Sequence, residues 1–306
     1  KKRWPNSEIH VLANKYNADI LCNNPDVSFV HTYVYSKKTY RNMKPGFLNA
    51  LIERGFLIFR LRRIKFDIGI IPNGGMNKNS IQFIKQLNIK DARWHDSITE
   101  FDDRNEDHIS HRPMIHECLS GFKLVPEITI PDQSELSLFV YPREELRDKW
   151  KLKIESRGKI KVGLFISNKS SQRKLDLSKW SIIVESLQDD FDFYVFKDPL
   201  DEVDDLNLKR KIIETVDIKN MVAATSCLDI IVSADSAPVH LGSALKIPVI
   251  ALFEDRPEKY LRWYPVGVEF RLLKGHRVVN DISTDSIINA INEIAATLMC
   301  KNEYKL

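Results

Sequence analysis

Apolar runs rich in Val, Ile and Phe alternate with amphipathic stretches along the whole chain. In the first half the runs read as strands at Glu8–Ala13 (EIHVLA), Phe29–Tyr35 (FVHTYVY), Phe66–Pro72 (FDIGIIP) and Ala92–Asp96 (ARWHD), with helices over Lys44–Arg63 and Ser80–Gln86. In the second half strands are expected at Lys159–Ser167, Phe191–Lys197, Lys211–Thr215, Leu228–Ser233 and Pro248–Phe253. Helices are expected there over Asp176–Leu187, Asp217–Thr225 and Pro238–Leu245. Short apolar strands separated by helical patterns predict parallel sheets covered on both faces. The stretch from Val125 to Gly158, charged and helical around PREELRDKWKLKIESRG, reads as a linker. The expected architecture is therefore α/β, two Rossmann-like doubly wound domains facing across a cleft, residues 1–150 and 151–306. The last helix, Thr284–Met299, carries an i, i+3, i+4 apolar stripe and could pack back on either domain.

The opening KKRWPNSEIHVLAN reads as the last turn of a basic helix, a Pro-containing turn and then a strand. The chain is accordingly expected to start inside an α/β unit, with the N-terminal domain lacking its first βα unit.

Composition narrows the class. With 306 residues, 43% hydrophobic and 29% charged, the chain can bury one large core or two ordinary ones, which excludes disordered and collagen-like proteins. Lys and Arg number 46 against 42 Asp and Glu, a net charge of +4 that permits an anionic partner without demanding nucleic acid, and no nucleic-acid partner is expected. Cys22, Cys118, Cys227 and Cys300 lie far apart, with no C-x-x-C pair, as suits a reducing cytoplasm. No apolar run approaches the roughly 18 residues that span a bilayer.

Candidate chemistry concentrates in SADSAPVHLGSALKIPVIALF, Ser233–Phe253, where a buried strand turns into a short helix and then into another strand. Open parallel sheets bind ligands beyond the C-terminal ends of their strands, and the amides of a helix N-terminus favour phosphate. Ser236 can cap this helix, and Pro238 suits its first turn. The competing reading has Asp235 and Ser236 as capping residues and His240 packed on the sheet. The loop NGGMNKNS, with Asn73, Gly74 and Gly75, follows a buried strand; it either faces the cleft as an acceptor site or is an ordinary turn. His108, His111 and His116 lie close together, but their spacing matches no zinc motif, so no metal is expected. The basic stretches RLRR and YRNMK could touch acidic lipid headgroups, or they could be solvated helix faces.

The stretch VSADSAPVHLGSALKIPVIALFEDRPEKYLRWYPVG resembles the signature of the family 9 glycosyltransferases, the lipopolysaccharide heptosyltransferases. Asp235, Ser236, His240, Leu241, Ala244, Leu245 and Pro248 match that signature, and Ala237 stands where the family has Gly. KVGLFISNKSSQRKLDLSKW is similar to the family's strand and Ser-containing loop (Ser167, Asn168) followed by a basic residue. Arg173, seven residues before Trp180, is the counterpart of the base that meets donor phosphate, with Lys174 a close second.

The resemblance implies a GT-B fold and transfer of a sugar, heptose from ADP-heptose, to a lipopolysaccharide or lipooligosaccharide core acceptor. No metal and no cofactor are implied, the nucleotide-sugar being a substrate. It also implies a cytoplasmic protein in peripheral contact with the inner membrane. Asp235 is then expected to meet sugar hydroxyls or order its loop, the amides of Ser236 and Ala237 to meet phosphates, and His240 to be either a phosphate donor or a packed histidine. The family's catalytic carboxylate follows its first strand in a G-D motif. Nothing ahead of EIHVLA matches that motif, so the base is expected either before Lys1 or lost. The alternatives are a non-catalytic nucleotide-sugar-binding or assembly protein of the same fold, and a GT-B epimerase.

Overall fold

The computed structural model describes residues 1–34, 46–73, 75–96, 114–156, 158–209 and 211–303. The chain divides into two compact units, Lys1–Asp132 and Gln133–Leu306.

In the first unit, β1 (His10–Asn14) pairs in parallel with β2 (Phe29–Tyr33), and β3 (Ile68–Ile70) with β4 (Asp91–Arg93). Among the described residues the two pairs are not hydrogen-bonded to each other. Helices α1 (Phe47–Arg62) and α2 (Lys78–Leu87) cover them, with α3 (Cys118–Phe122) further along. Leu57 and Leu61 of α1 bury against Phe83 of α2, with Leu12 and Tyr33 of the strands packed beside them. Helix α2 begins where Asn77 accepts from the Ser80 amide at 3.1 Å, and it ends at Asn88 in the left-handed conformation. Asn tolerates that conformation better than most residues, which makes it a natural stop. Arg93 closes the unit by forking onto Asp91 and Glu127, with N–O distances of 2.7 to 2.8 Å. These bonds hold both carboxyls below the usual carboxylate range.

The second unit is built on one six-stranded sheet, ordered β10-β9-β8-β5-β6-β7 and parallel throughout. The strands are β5 (Ile160–Phe165), β6 (Phe191–Phe196), β7 (Ile212–Ile213), β8 (Ile230–Ala234), β9 (Val249–Glu254) and β10 (Phe270–Gly275). The helices are α4 (Glu144–Lys151), α5 (Leu177–Leu187), α6 (Leu206–Lys209), α7 (Ile218–Thr225), α8 (Ala237–Leu245), α9 (Pro257–Trp263) and α10 (Thr284–Glu303). Strands β8 and β9 are buried along their full length, as continuous apolar runs in a doubly covered sheet should be. From β5 the chain winds outward through β6 to β7. It then crosses to the other side of β5 and lays down β8, β9 and β10, so the winding reverses between β5 and β8.

Two segments gain detail over the sequence reading. The stretch read as a linker contains α4, and its Trp150, with Ile154 just beyond the helix, sits in a core cluster with Ala223, Ala224 and Leu228. The Trp150 indole donates to Asn220 Oδ1 at 3.0 Å. Burying the indole makes α4 a wall of the second unit. Helix α10, which could have packed on either domain, lays Ile287, Ile291 and Ile294 into the cluster that holds Trp180, Ile183 and Leu187 of α5.

Candidate functional site

The C-terminal ends of β5, β8, β9 and β10 share one edge of the sheet, and the loops leaving them meet at the switch between β5 and β8. After β5, the Ser167 hydroxyl accepts the Asp198 amide at 2.7 Å, which ties the loop to the end of β6. Asn168 Oδ1 accepts the Ser170 amide at 3.1 Å, while Asn168 Nδ2 donates to the Asp235 carbonyl at 3.0 Å. A short 3-10 turn, Ser171–Arg173, then brings Arg173 back over the sheet edge. Its guanidinium donates to both the carbonyl and the carboxylate of Asp235, each at 3.1 Å. Asp235 is buried, and its own amide donates to Leu252 of β9 at 2.9 Å. Loops from β5 and β8 are thus locked together across the switch point.

Helix α8 begins directly after this lock. Ser236 occupies the N-cap position with extended backbone, φ −166° and ψ 180°. It does not cap the helix as expected, because its hydroxyl donates to the Ala234 carbonyl at 2.9 Å and meets Ser233 Oγ at 3.3 Å. Among the described residues the amides of Ser236 and Ala237 have no partner, so the positive end of the helix carries open donors. Ala237 is the first helical residue and has no positive φ, so the methyl in place of the family's Gly costs no backbone strain. Pro238 stands in the first turn, where its missing N–H costs nothing. His240 is half-buried, edge-on to Trp263 of α9 with ring centroids 5.5 Å apart. Lys174 turns away from Arg173 and pairs with Asp201 at 3.5 Å.

The β9 and β10 ends add residues that the sequence reading did not pick out. Glu254 is buried at the tip of β9, 3.7 Å from Arg256 Nη1, and Arg256 Nε donates to Glu258 at 2.6 Å. Lys274 bonds Asp255 at 2.9 Å, which raises the ammonium above the usual lysine value. Exposed His276 and Arg277 follow β10. The Asp281 carboxylate accepts the amides of Arg277 at 2.7 Å and Val278 at 3.1 Å, which hold it below the usual carboxylate range. The basic KGHR run was the available signal for this loop; it went unread because β10 itself went unread.

In the first unit, Asn73 is exposed and Gly75 buried in the loop between β3 and α2. Gly74 lies outside the described residues, as do His108, His111 and the whole basic YRNMK stretch. His116 is buried and accepts the Cys118 amide at 3.2 Å. Among the described residues no cluster of His, Cys, Asp and Glu could hold a metal ion, and no helix is long and apolar enough to cross a membrane.

An open parallel sheet of this kind takes its ligands beyond the strand C-termini at the switch point, where this chain gathers an open helix N-terminus and an arginine. Residues 199–278 match the model of glycosyltransferase family 9 (heptosyltransferase), and the chain resembles that family. Among proteins of curated function no sequence matches. Several solved structures share the fold, among them the three that follow. A family 9 glycosyltransferase from Veillonella parvula has a TM-score of 0.74 at 13% identity, over 95% of this chain and 88% of that one. ADP-heptose lipopolysaccharide heptosyltransferase II of E. coli has 0.68 at 14%, over 97% and 92%. The E. coli heptosyltransferase WaaC with ADP has 0.68 at 12%, over 96% and 92%. The likeness carries the fold, which is α/β of the GT-B class.

Proposed function

We propose that this chain is a glycosyltransferase that takes a sugar from a nucleotide diphosphate donor. The observation that carries the reading is the switch point of the second unit, where the open amides of Ser236 and Ala237 lie beside the Arg173–Asp235 lock. Leaving-group departure in such a transfer builds charge on a diphosphate, and preorganised backbone donors with a fixed cation offset it. Asp235 would repel phosphate if it stood alone. Held by Arg173, it orders the loop and can accept from sugar hydroxyls. Ser167 and Asn168 shape the neighbouring wall, Lys174 supplies nearby positive charge, and His240 can donate to a phosphate from its place on α8.

The finer reading is heptose transfer from ADP-heptose to a lipopolysaccharide or lipooligosaccharide core, without a metal. Asn73, Gly74 and Gly75 would stand on the acceptor side. A glycolipid acceptor would set the reaction at the cytoplasmic face of the inner membrane. It is supported by the family match over 199–278 and by the fold shared with heptosyltransferases.

Thermal-shift measurement against ADP, UDP, GDP and CMP sugars tests the donor site. One nucleotide should win, and at ~100 times its dissociation constant it should add ~2.7 kcal/mol of stability. Absence of a shift with every donor would overturn the reading. Release of ADP from ADP-heptose with a core acceptor present then tests the finer one.

A further inference from the structure

Helix α1 is apolar on two opposite sides. Ala50, Leu57 and Leu61 form the buried stripe. On the far side Phe47, Leu48, Leu51, Ile52, Phe56 and Phe59 project into solvent, with Leu48 73% and Phe56 72% exposed. At 100° per residue these six fall within one half of the helix circumference, opposite the buried stripe. Single exposed apolar residues are ordinary, but a contiguous stripe of three phenylalanines and three aliphatics on one helix is not. The charge around it is mainly positive: Arg60, Arg62, Arg63 and Lys65 stand against Glu53, while Arg54 is turned onto Gln86 and Phe83 of α2. Arg60, Arg63 and Lys65 are exposed at the C-terminal end of the helix, with Arg63 5.9 Å above the Phe59 ring. Arg62 is fixed by donating to the Gln86 carbonyl at 2.6 Å.

We infer that this face of α1 docks in the plane of an anionic lipid surface, the aromatic and aliphatic side chains entering the headgroup boundary while the arginines meet lipid phosphates. An apolar face beside a cluster of Lys and Arg is the pattern of interfacial helices, and the excess of positive charge selects acidic lipid over a neutral protein partner. The inference deepens the membrane contact in the proposed reading by assigning it to one face, and its observations stand on α1 alone, so a chain that transfers nothing would still bind.

Co-sedimentation with vesicles of phosphatidylcholine alone, and of phosphatidylcholine with one quarter phosphatidylglycerol, tests it. The chain should bind the anionic vesicles at least tenfold more tightly and lose most of that preference at high salt. Leu48→Glu combined with Phe56→Glu alters only solvent-facing side chains and should reduce binding tenfold or more with an unchanged melting temperature. Arg60→Glu with Arg63→Glu should do the same through charge. No binding by the unaltered chain, or equal binding by either variant, would overturn the inference. So would sizing that shows a dimer made monomeric by the Leu48 and Phe56 changes, because the face would then join two copies. ADP stabilisation serves as a separate readout, so failure here and failure of the donor site are told apart.

Discussion

Arg173 and Asp235 restrain each other at 3.1 Å, and that restraint has two consequences for the donor site. The carboxylate no longer presents a full negative charge to a diphosphate, and the guanidinium is fixed in place with donors to spare. Arg173→Ala should weaken ADP binding by roughly 1.5 to 3 kcal/mol, the loss of a charge-assisted hydrogen bond together with the charge that screens Asp235. Adenosine binding should change far less, and Arg173→Lys should recover part of the loss. Titration calorimetry with both ligands measures the difference; equal losses for the two would remove the phosphate role. Asp281 gives a prediction in pH. Its carboxyl lies below the ordinary 3.8 because two backbone amides donate to the ionised form. The anchoring of the Arg277–Val278 loop should therefore persist above that value and disappear as pH falls through the lower folded-state value. The amide proton shifts of Arg277 and Val278 should titrate with a midpoint under 3.8, and Asp281→Ala should abolish the titration.

At the scale of elements, periodicity revealed most of what holds the second unit together. The runs IIV and VIALF are apolar without interruption because both faces of β8 and β9 are covered, so a reader sees them at once. Strand β10 escaped because FRLLKG carries Arg271 and Lys274 at a sheet edge that is only partly buried, and α9 escaped because Pro257 opens it inside a charged stretch. Local pattern set Asp235 in the loop after β8, and only the family resemblance pointed to Arg173 in the loop after β5. Their contact spans 62 residues and depends on the winding reversal, which no local window contains. The same reasoning exposes where α8 is least tolerant. A Cβ on Gly242 would fall 2.4 Å from Val249 Cγ2 and 3.1 Å from Ile231 Cδ1. Gly242→Ala should therefore destabilise the unit by about 1 to 3 kcal/mol through overpacking despite its better helix propensity, as denaturant melts would record.

For the whole molecule, the division into Lys1–Asp132 and Gln133–Leu306 predicts that a perturbation in one core is felt mainly in its own unit. Ile291 is fully buried between α10 and α5, so Ile291→Ala should cost about 2 to 5 kcal/mol. Scanning calorimetry should show that loss in a transition of the second unit, with any transition of the first unit unmoved. A uniform shift of every transition would mean that the two units melt as one. The division also separates the proposed chemistry from the proposed lipid contact, since the switch point belongs to one unit and α1 to the other.

The order in which the sheet is wound has a consequence for synthesis. Strand β5 leaves the ribosome before both of its neighbours, β6 comes next, and β8 can join only after β7 and α7 have been made. Helix α10, which covers Trp180 and Ile183 of α5, is translated last of all the described elements. A nascent chain must therefore carry an uncovered apolar flank through most of the translation of this unit. Polypeptides ending before Thr284 should be captured by chaperones or precipitate, whereas chains that reach Met299 should become soluble.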